Sequence, residues 1–492
     1  MYCQSQLEDM YYNGNRHCST KDLVRCSVFI VLFTFTIPAM RHCYSQRAPD
    51  KDSVILPASL KYKHPGIFLR LAMGNNYRQE WSTPVTMRVF DISKEQGGLT
   101  ITKMGGGHQT KGLKMVSADG VEWGLRSVDK NVRKLLPGWV RDIGLGKMGQ
   151  DLISASHPYA CLSVAELANA IGVVNPGPEL VYVPDDTALG TYQKEIGDDM
   201  YFFEKKHPLK PNTRPENMED LLEGLQKDNT KIVLQREMLK ARLLDMVTGD
   251  WDRHQGQWKW GYSDSINKKW YYPVPGDRDQ AFFKTKGILT RLVNAAFTPF
   301  LKGFKRNPKG LYQLNKWALT VDRTFLNELS EADWKEIVQE VQNNLSDSVV
   351  NAAVNKLPSE LSAKRKQQLA RTLKSRRDGL LNAALIYYQR LAGNAYVFGS
   401  VKAEYFVIKT VDDNLQVTVY NNVNECDSCK IYQRIFSKAH TRRIYLVGID
   451  NNDRVNIPPS SSIRINQIKR ANDRKYELRR KMLERLKAKG QG

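Results

Sequence analysis

Between residues 66 and 130 apolar and polar positions alternate in short runs: "GIFLRLAM", "TPVTMRVF", "GLTITKM", "GLKMVS" and "VEWGLRSV". A period of two over runs this short predicts strands. "GGGHQTKG", residues 105–112, and the Asp-Gly turn in "ADGVE" separate neighbouring runs, so an antiparallel sheet with a glycine-rich hairpin is expected. The stretch 151–171 changes to a helical period, broken near His157-Pro158, where proline removes a donor and restricts the residue before it. "ELVYVP" and "DDMYFFEKK" return to strand texture. After the proline-rich, charged "KHPLKPNTRPENMED" the period turns helical over 218–247 and stops at Thr248-Gly249. The aromatic run "KKWYYPVP" then delivers Asp277, and further helices are expected at 285–300, 329–346, 359–374 and 377–391.

From 394 short alternating runs reappear, predicting a small β module over 394–457 that ends at "PPSSS". The expected architecture is α+β: a β-rich region over 60–207, a helical region over 208–393, the β module, and a basic tail over 461–492 that is either a helix or a disordered arm. No repeat of solenoid type is present.

Composition changes this picture at the two ends. The 492 residues are 41% hydrophobic and carry a net charge of +22, and eleven Lys or Arg against three acids fall in 461–492. Such an excess suits nucleic acid, anionic lipid, phosphorylated ligands or acidic proteins without choosing among them. No nucleic-acid motif accompanies the tail, so nucleic acid is the weakest of these and a solvated charge run the plainest reading. Residues 27–40, "SVFIVLFTFTIPAM", follow Lys21 and Arg25 and carry no charge. As a helix they would rise about 21 Å, short of the roughly 30 Å of a bilayer's hydrocarbon. A signal segment within 1–50 is the first expectation, with a start at Met1 or Met10, and a short anchor or a buried helix next. The expected location is therefore exported, periplasmic or membrane-associated. Of seven cysteines, Cys426 and Cys429 form a single CxxC, half of a four-thiolate zinc site, so a local disulfide or free thiols is expected.

The candidate chemistry sits in "TGDWDRHQGQW", residues 248–258, and "PGDRDQAFF". A surface loop, a metal cage and a phosphate-transfer site are all open readings of these acids. Phosphoryl transfer needs an acid to orient the acceptor hydroxyl, oxygen ligands for a metal, and cations against developing charge. Asp252 suits the first role, beside Arg253 and His254. Gln257 and Asp277, with Asp279 as a rival, supply oxygens of the kind magnesium takes. Gly105, Gly106 and Gly107 with Lys111 offer backbone and charge for close approach to phosphates. In "LRSVDK" alternation puts Arg126, Val128 and Lys130 on one face, so Arg126 or Lys130 would meet the phosphates, with Asp151 or Glu166 holding it. The plain reading of each stands beside these: a structural hairpin, a salt-bridged strand, a hydrogen-bonded histidine, and acids that cap helices and form turns.

"DWDRHQGQW" and "PVPGDRDQAF", preceded in order by "GGGHQTKGLKM", "LRSVDKN", "DLISASHPYA" and "LVYVPDD", resemble a poorly characterised bacterial family over about 60–457. That family occurs in exported proteins beside metallophosphoesterase and outer-membrane barrel sequences, notably in Bacteroidetes, which implies an outer-membrane or envelope protein partner. The Asp-Arg-His cluster more distantly resembles atypical kinases: HipA toxins, lipid kinases, spore-coat CotH kinases and secretory-pathway kinases. The resemblance implies a two-lobed kinase-like fold, ATP with Mg or Mn, and Asp252, Gln257 and Asp277 as the acid and metal ligands. Gln257 is longer than the asparagine of several of those families, and arginine's fork at Arg126 is not equivalent to a lysine. A kinase-like phosphotransferase or nucleotide-binding protein is the expectation, and a noncatalytic envelope interaction module the alternative.

Overall fold

The computed structural model describes residues 52–105, 110–131, 145–209, 214–265, 268–296, 303–306, 315–422 and 424–469. The expected signal segment, Gly106 and Gly107 of the hairpin, and the tail from 470 lie outside the described residues.

Seven strands form the first sheet: β1 (Ser53–Pro57), β2 (Pro84–Val89), β3 (Leu99–Gly105), β4 (Gly112–Ser117), β5 (Glu122–Ser127), β6 (Glu179–Val183) and β7 (Asp199–Lys205), in the order β1-β2-β6-β7-β5-β4-β3. The sheet is mixed rather than antiparallel throughout, because β2 and β6 pair in parallel. The helix Ala160–Ala170 provides the crossover between β5 and β6 and buries Val164, Leu167 and Ala168. "GIFLRLAM" is the helix Ile67–Met73, not a strand. Six of its eight residues are apolar, which fits either period, and Leu, Ala and Met favour the helix.

The expected helix over 218–247 is two helices, Met218–Lys227 and Gln235–Thr248, with strand β9 (Lys231–Val233) between them. Asp228 makes the break: its carboxylate accepts from the backbone N–H and the hydroxyl of Thr230, fixing a turn that a continuous helix could not contain. Glu216–Asn217 (β8), Trp258–Ser265 (β10) and Lys268–Pro275 (β11) complete a second sheet in the order β8-β10-β11-β9. The helix Gln235–Thr248 runs through the core with ten of its residues buried, and ends at Gly249, whose φ of 70° a side chain would resist. Leu319–Phe325, Glu331–Asn344, Ala363–Asp378 and Leu380–Ala392 pack against it, while Asp347–Asn355 packs on Ala160–Ala170. The capping box of Ser330 and Asp333 starts the second of these.

The chain from 394 forms two further sheets, β12 (Asn394–Phe398), β16 (Arg443–Ile449) and β18 (Arg464–Lys469) in parallel, and β13 (Tyr405–Val411), β14 (Asn414–Tyr420), β15 (Lys430–Phe436) and β17 (Arg454–Asn456). Their inward residues make a separate apolar cluster around Phe406, Val417, Phe436 and Leu446. This β structure runs past 457: β18 lies inside the stretch expected to be the basic tail, paired along its length with β16. Cys426 and Cys429 are joined by a disulfide. Among the described residues no helix is long and apolar enough to cross a membrane.

Candidate functional site

The antiparallel register of β10 on β11 sets Trp258 opposite Pro275. That register brings the loop after the helix Gln235–Thr248 to the same end of the hairpin as the turn after β11. The N–H of Gly276 donates to the carbonyl of Gln257 at 2.9 Å, closing the two loops on each other.

Arg253 locks them. It is 1% exposed, and donates to the carbonyls of Gly276 and Asp277 at 2.6 and 2.8 Å and to the carboxylate of Asp250 at 2.7 Å. Its Nε lies 3.2 Å from Asp245, which also binds Arg278 and Arg242. Arg242 reaches on to Asp322 at 2.8 Å and to Asn315 at 2.6 Å, and Tyr387 donates to Asp322 at 2.7 Å. Arg253, expected among the catalytic groups, is thus a buried clamp whose two terminal nitrogens hydrogen-bond within the fold. Buried charge survives only when paired and hydrogen-bonded, and here one network joins three arginines, Arg242, Arg253 and Arg278, to three aspartates, Asp245, Asp250 and Asp322.

Asp252 stands half-buried at the rim of this network, its N–H donating to Asp250 at 3.2 Å. Burial raises the pKa of its carboxyl; His254 and Arg253 pull it down, while Asp250 and Asp277 push it further up. His254 is exposed and accepts from the N–H of Gly256 at 3.1 Å, and the Gln257 amide nitrogen lies 3.5 Å from its ring.

Asp277 takes a left-handed φ of 39°, a conformation that costs a non-glycine residue about 1–3 kcal/mol and that aspartate tolerates better than most. The clamp of Arg253 on its carbonyl holds it there. Its carboxylate accepts from Arg126 of β5 at 3.2 Å, and Asp279 pairs with Lys130. Burial alone would raise the Asp277 pKa, but Lys130, Arg126 and Arg253 outweigh it and hold the group below the usual carboxylate range. Burial pushes Lys130 the other way, below the usual lysine range, against the acids Asp277, Asp252 and Asp250.

The strand alternation in "LRSVDK" stops with β5 at Ser127, and Lys130 reaches the site from the bend beyond it. Arg126 and Lys130 point to the acids of the helical region, while Asp129 faces away and accepts from Ser59, Lys61 and Tyr62 at 3.1, 2.7 and 2.9 Å. The acid beside Arg126 is Glu204 of β7, at 3.6 Å, and not Asp151. Asp151 is buried in a two-pronged pair with Arg78, at 2.7 and 2.6 Å. Glu166 lies 3.7 Å from Lys356, away from the site. Gly105 sits opposite Gly112 at the root of the hairpin, and Lys111 is exposed with its backbone tied to Ser127.

Sequence reasoning missed Glu204, Asp245, Arg242 and Asp322. A signal existed for two: Arg242 and Asp245 interrupt the apolar run "KARLLDMV" three residues apart, the spacing of an ion pair on one helix face. Glu204 carries no such mark, since only the β5–β7 pairing, with Gly124 opposite it, brings it beside Arg126.

The residues expected to hold Mg or Mn lie at one end of the β10–β11 hairpin, Gln257 just before β10 and Asp277 and Asp279 just after β11. Asp277 and Asp279 are each bound to a basic side chain. Among the described residues no group of three His, Cys, Asp or Glu side chains is placed to hold a metal ion. A cavity of about 160 Å³ lies elsewhere, between the helical region and the C-terminal sheets, lined by Asn229, Gln235, Glu328, Glu404 and Tyr432.

No family model matches the chain. No curated protein matches it either. Among solved structures it shows a distant resemblance to an atypical kinase, the Helicobacter pylori proinflammatory kinase CtkA. The identity is 10% and the TM-score 0.31, over 57% of this chain and 95% of that one. A likeness that low carries no argument, so the function rests on the geometry of the site.

Proposed function

We propose that the chain is a kinase-like phosphotransferase that binds ATP or another phosphorylated ligand between the first sheet and the helical region. The observation that supports it is the meeting of Asp252, Asp277 and the pair Arg126 and Lys130, carried on three separate segments, within electrostatic reach of one another. Arg126 and Lys130 bind the phosphates, and the glycine hairpin rooted at Gly105 and Gly112 lies on the neighbouring strands, with Gly112 paired opposite Arg126. Asp252 orients the acceptor hydroxyl and takes its proton as that oxygen attacks phosphorus. The bond from phosphorus to the bridging oxygen then breaks, and the nucleoside diphosphate leaves with those electrons. Its raised pKa makes Asp252 a stronger base than an exposed aspartate. The acceptor is open, and the uncharged stretch 27–40 supports an envelope location.

A second reading has one observation in its favour. The pairs Arg126–Asp277 and Lys130–Asp279 satisfy the acids within the chain, as in a noncatalytic, pseudokinase-like envelope module. Calorimetry of the full chain with ATP, alone and with Mg or Mn, separates the two when joined to a phosphate-transfer assay. Phosphotransfer predicts binding that the double variant Arg126→Ala, Lys130→Ala weakens at least roughly tenfold, on the scale of charge-assisted bonds. Binding without transfer favours the second reading. No heat at millimolar ATP with folded protein removes nucleotide handling altogether.

A further inference from the structure

We propose that the helices Ile67–Met73 and Ile288–Ala296 together form a docking surface for an anionic lipid bilayer. Five large apolar side chains stand out from them: Ile67 is 82% exposed, Phe68 59%, Leu71 59%, Ile288 61% and Leu292 63%. Positions 67, 68 and 71 share one helix face, and 288 and 292 share another. Apolar side chains scattered singly over a surface need no explanation, but a cluster of this size on two adjoining helices marks an interaction site.

The two helices are fixed to each other by their backbones. A Cβ on Gly287 would lie 2.0 Å from the carbonyl oxygen of Ala72, and one on Gly74 would lie 2.7 Å from the nitrogen of Gly287. Asn76 accepts from the N–H of Lys286 at 3.2 Å, and Tyr77 donates to the carbonyl of Phe282 at 2.7 Å. The apolar side chains are therefore displayed by a knitted pair of elements.

Charge decides the occupant. Lys63, Arg70, Lys286 and Arg291 are exposed on or beside the same helices. No acid occurs from Ala58 to Gln79, nor from Gln280 to Val321, a stretch with eight Lys or Arg. Apolar side chains with exposed bases on and beside the same helices match a bilayer interface with anionic headgroups, where the first enter the acyl boundary and the second meet phosphates. The apolar stretch 27–40 stands shortly before the first of these helices in sequence. This surface is independent of the basic tail and of the proposed phosphate chemistry.

Hydrogen exchange on the full chain tests the assignment, with vesicles of phosphatidylcholine alone and of equal parts phosphatidylcholine and phosphatidylglycerol. Slowed exchange in both 67–73 and 288–296 with the anionic vesicles, and little with the neutral ones, is expected. Vesicle retention should fall roughly tenfold in Phe68→Ser with Leu292→Ser, and the preference for anionic lipid should vanish in Arg70→Glu with Arg291→Glu. These positions are exposed, so thermal melting should stay unchanged. Protection confined to 27–40 or to 470–492, with both variants retained like the parent chain, would overturn the proposal. So would slow exchange in both helices before any lipid is added, which would mean that the chain or a second copy already covers them.

Discussion

Asp252 and Arg253 are neighbours in sequence with opposite duties, and substitution should separate them. Asp252→Asn keeps the shape and removes the base, so nucleotide binding should persist while transfer falls by about 10²-fold or more, read by a phosphate-release or labelling assay. Arg253→Ala leaves Asp250 and Asp245 short of a buried partner and should cost about 3–5 kcal/mol in denaturant unfolding. The pKa of Asp252 is raised in the folded chain, so as pH rises transfer should climb through a limb lying above the ordinary aspartate range. The same raised pKa means that the group's contribution to stability declines over that window, because the unfolded chain ionises first.

His157 sits where the turn Leu152–Ala155 gives way to the helix Ala160–Ala170, a break legible in the sequence from Pro158. Its ring is buried against Tyr77, its Nδ1 accepts from the N–H of Tyr159 at 3.2 Å, and burial holds its pKa down to about 3. A histidine kept neutral in the fold but protonated in the unfolded chain loses stability as pH falls below about 6.5. Unfolding followed from pH 7 to 4 should show that loss, and His157→Gln should flatten it. The close approach of Gly287 to Ala72 predicts that Gly287→Ala costs about 1–3 kcal/mol, measured as a lowered melting temperature, because the added carbon has no room unless the two helices part. Neither contact was legible beforehand. "GIFLRLAM" matches strand and helix templates over so short a run, so periodicity alone does not choose between them.

At the scale of the whole chain, β18 changes how the basic tail must be studied. Cutting at 461 removes a strand paired in parallel along β16, whereas cutting after Lys469 leaves that sheet intact. The first truncation should make the C-terminal sheets sensitive to protease and lower their melting temperature, and the second should not. Charge density predicted a tail at this point, but pairing took its first residues, because Ile465 and Ile468 find an apolar neighbour in the cluster around Leu446 and in β16.

Local pattern by itself determined where most strands and helices lie and that the acids at 252 and 277 fall beside turns. These follow from periodicity and turn chemistry, which act over a few residues. Tertiary structure alone decided that Arg253 is a clamp, that Glu204 rather than Asp151 lies beside Arg126, and that Asp277 and Asp279 meet basic side chains from the first sheet. Those outcomes depend on strand order and hairpin register, which join residues far apart in the chain, and on burial, which makes every unpaired charge costly enough to select its partner.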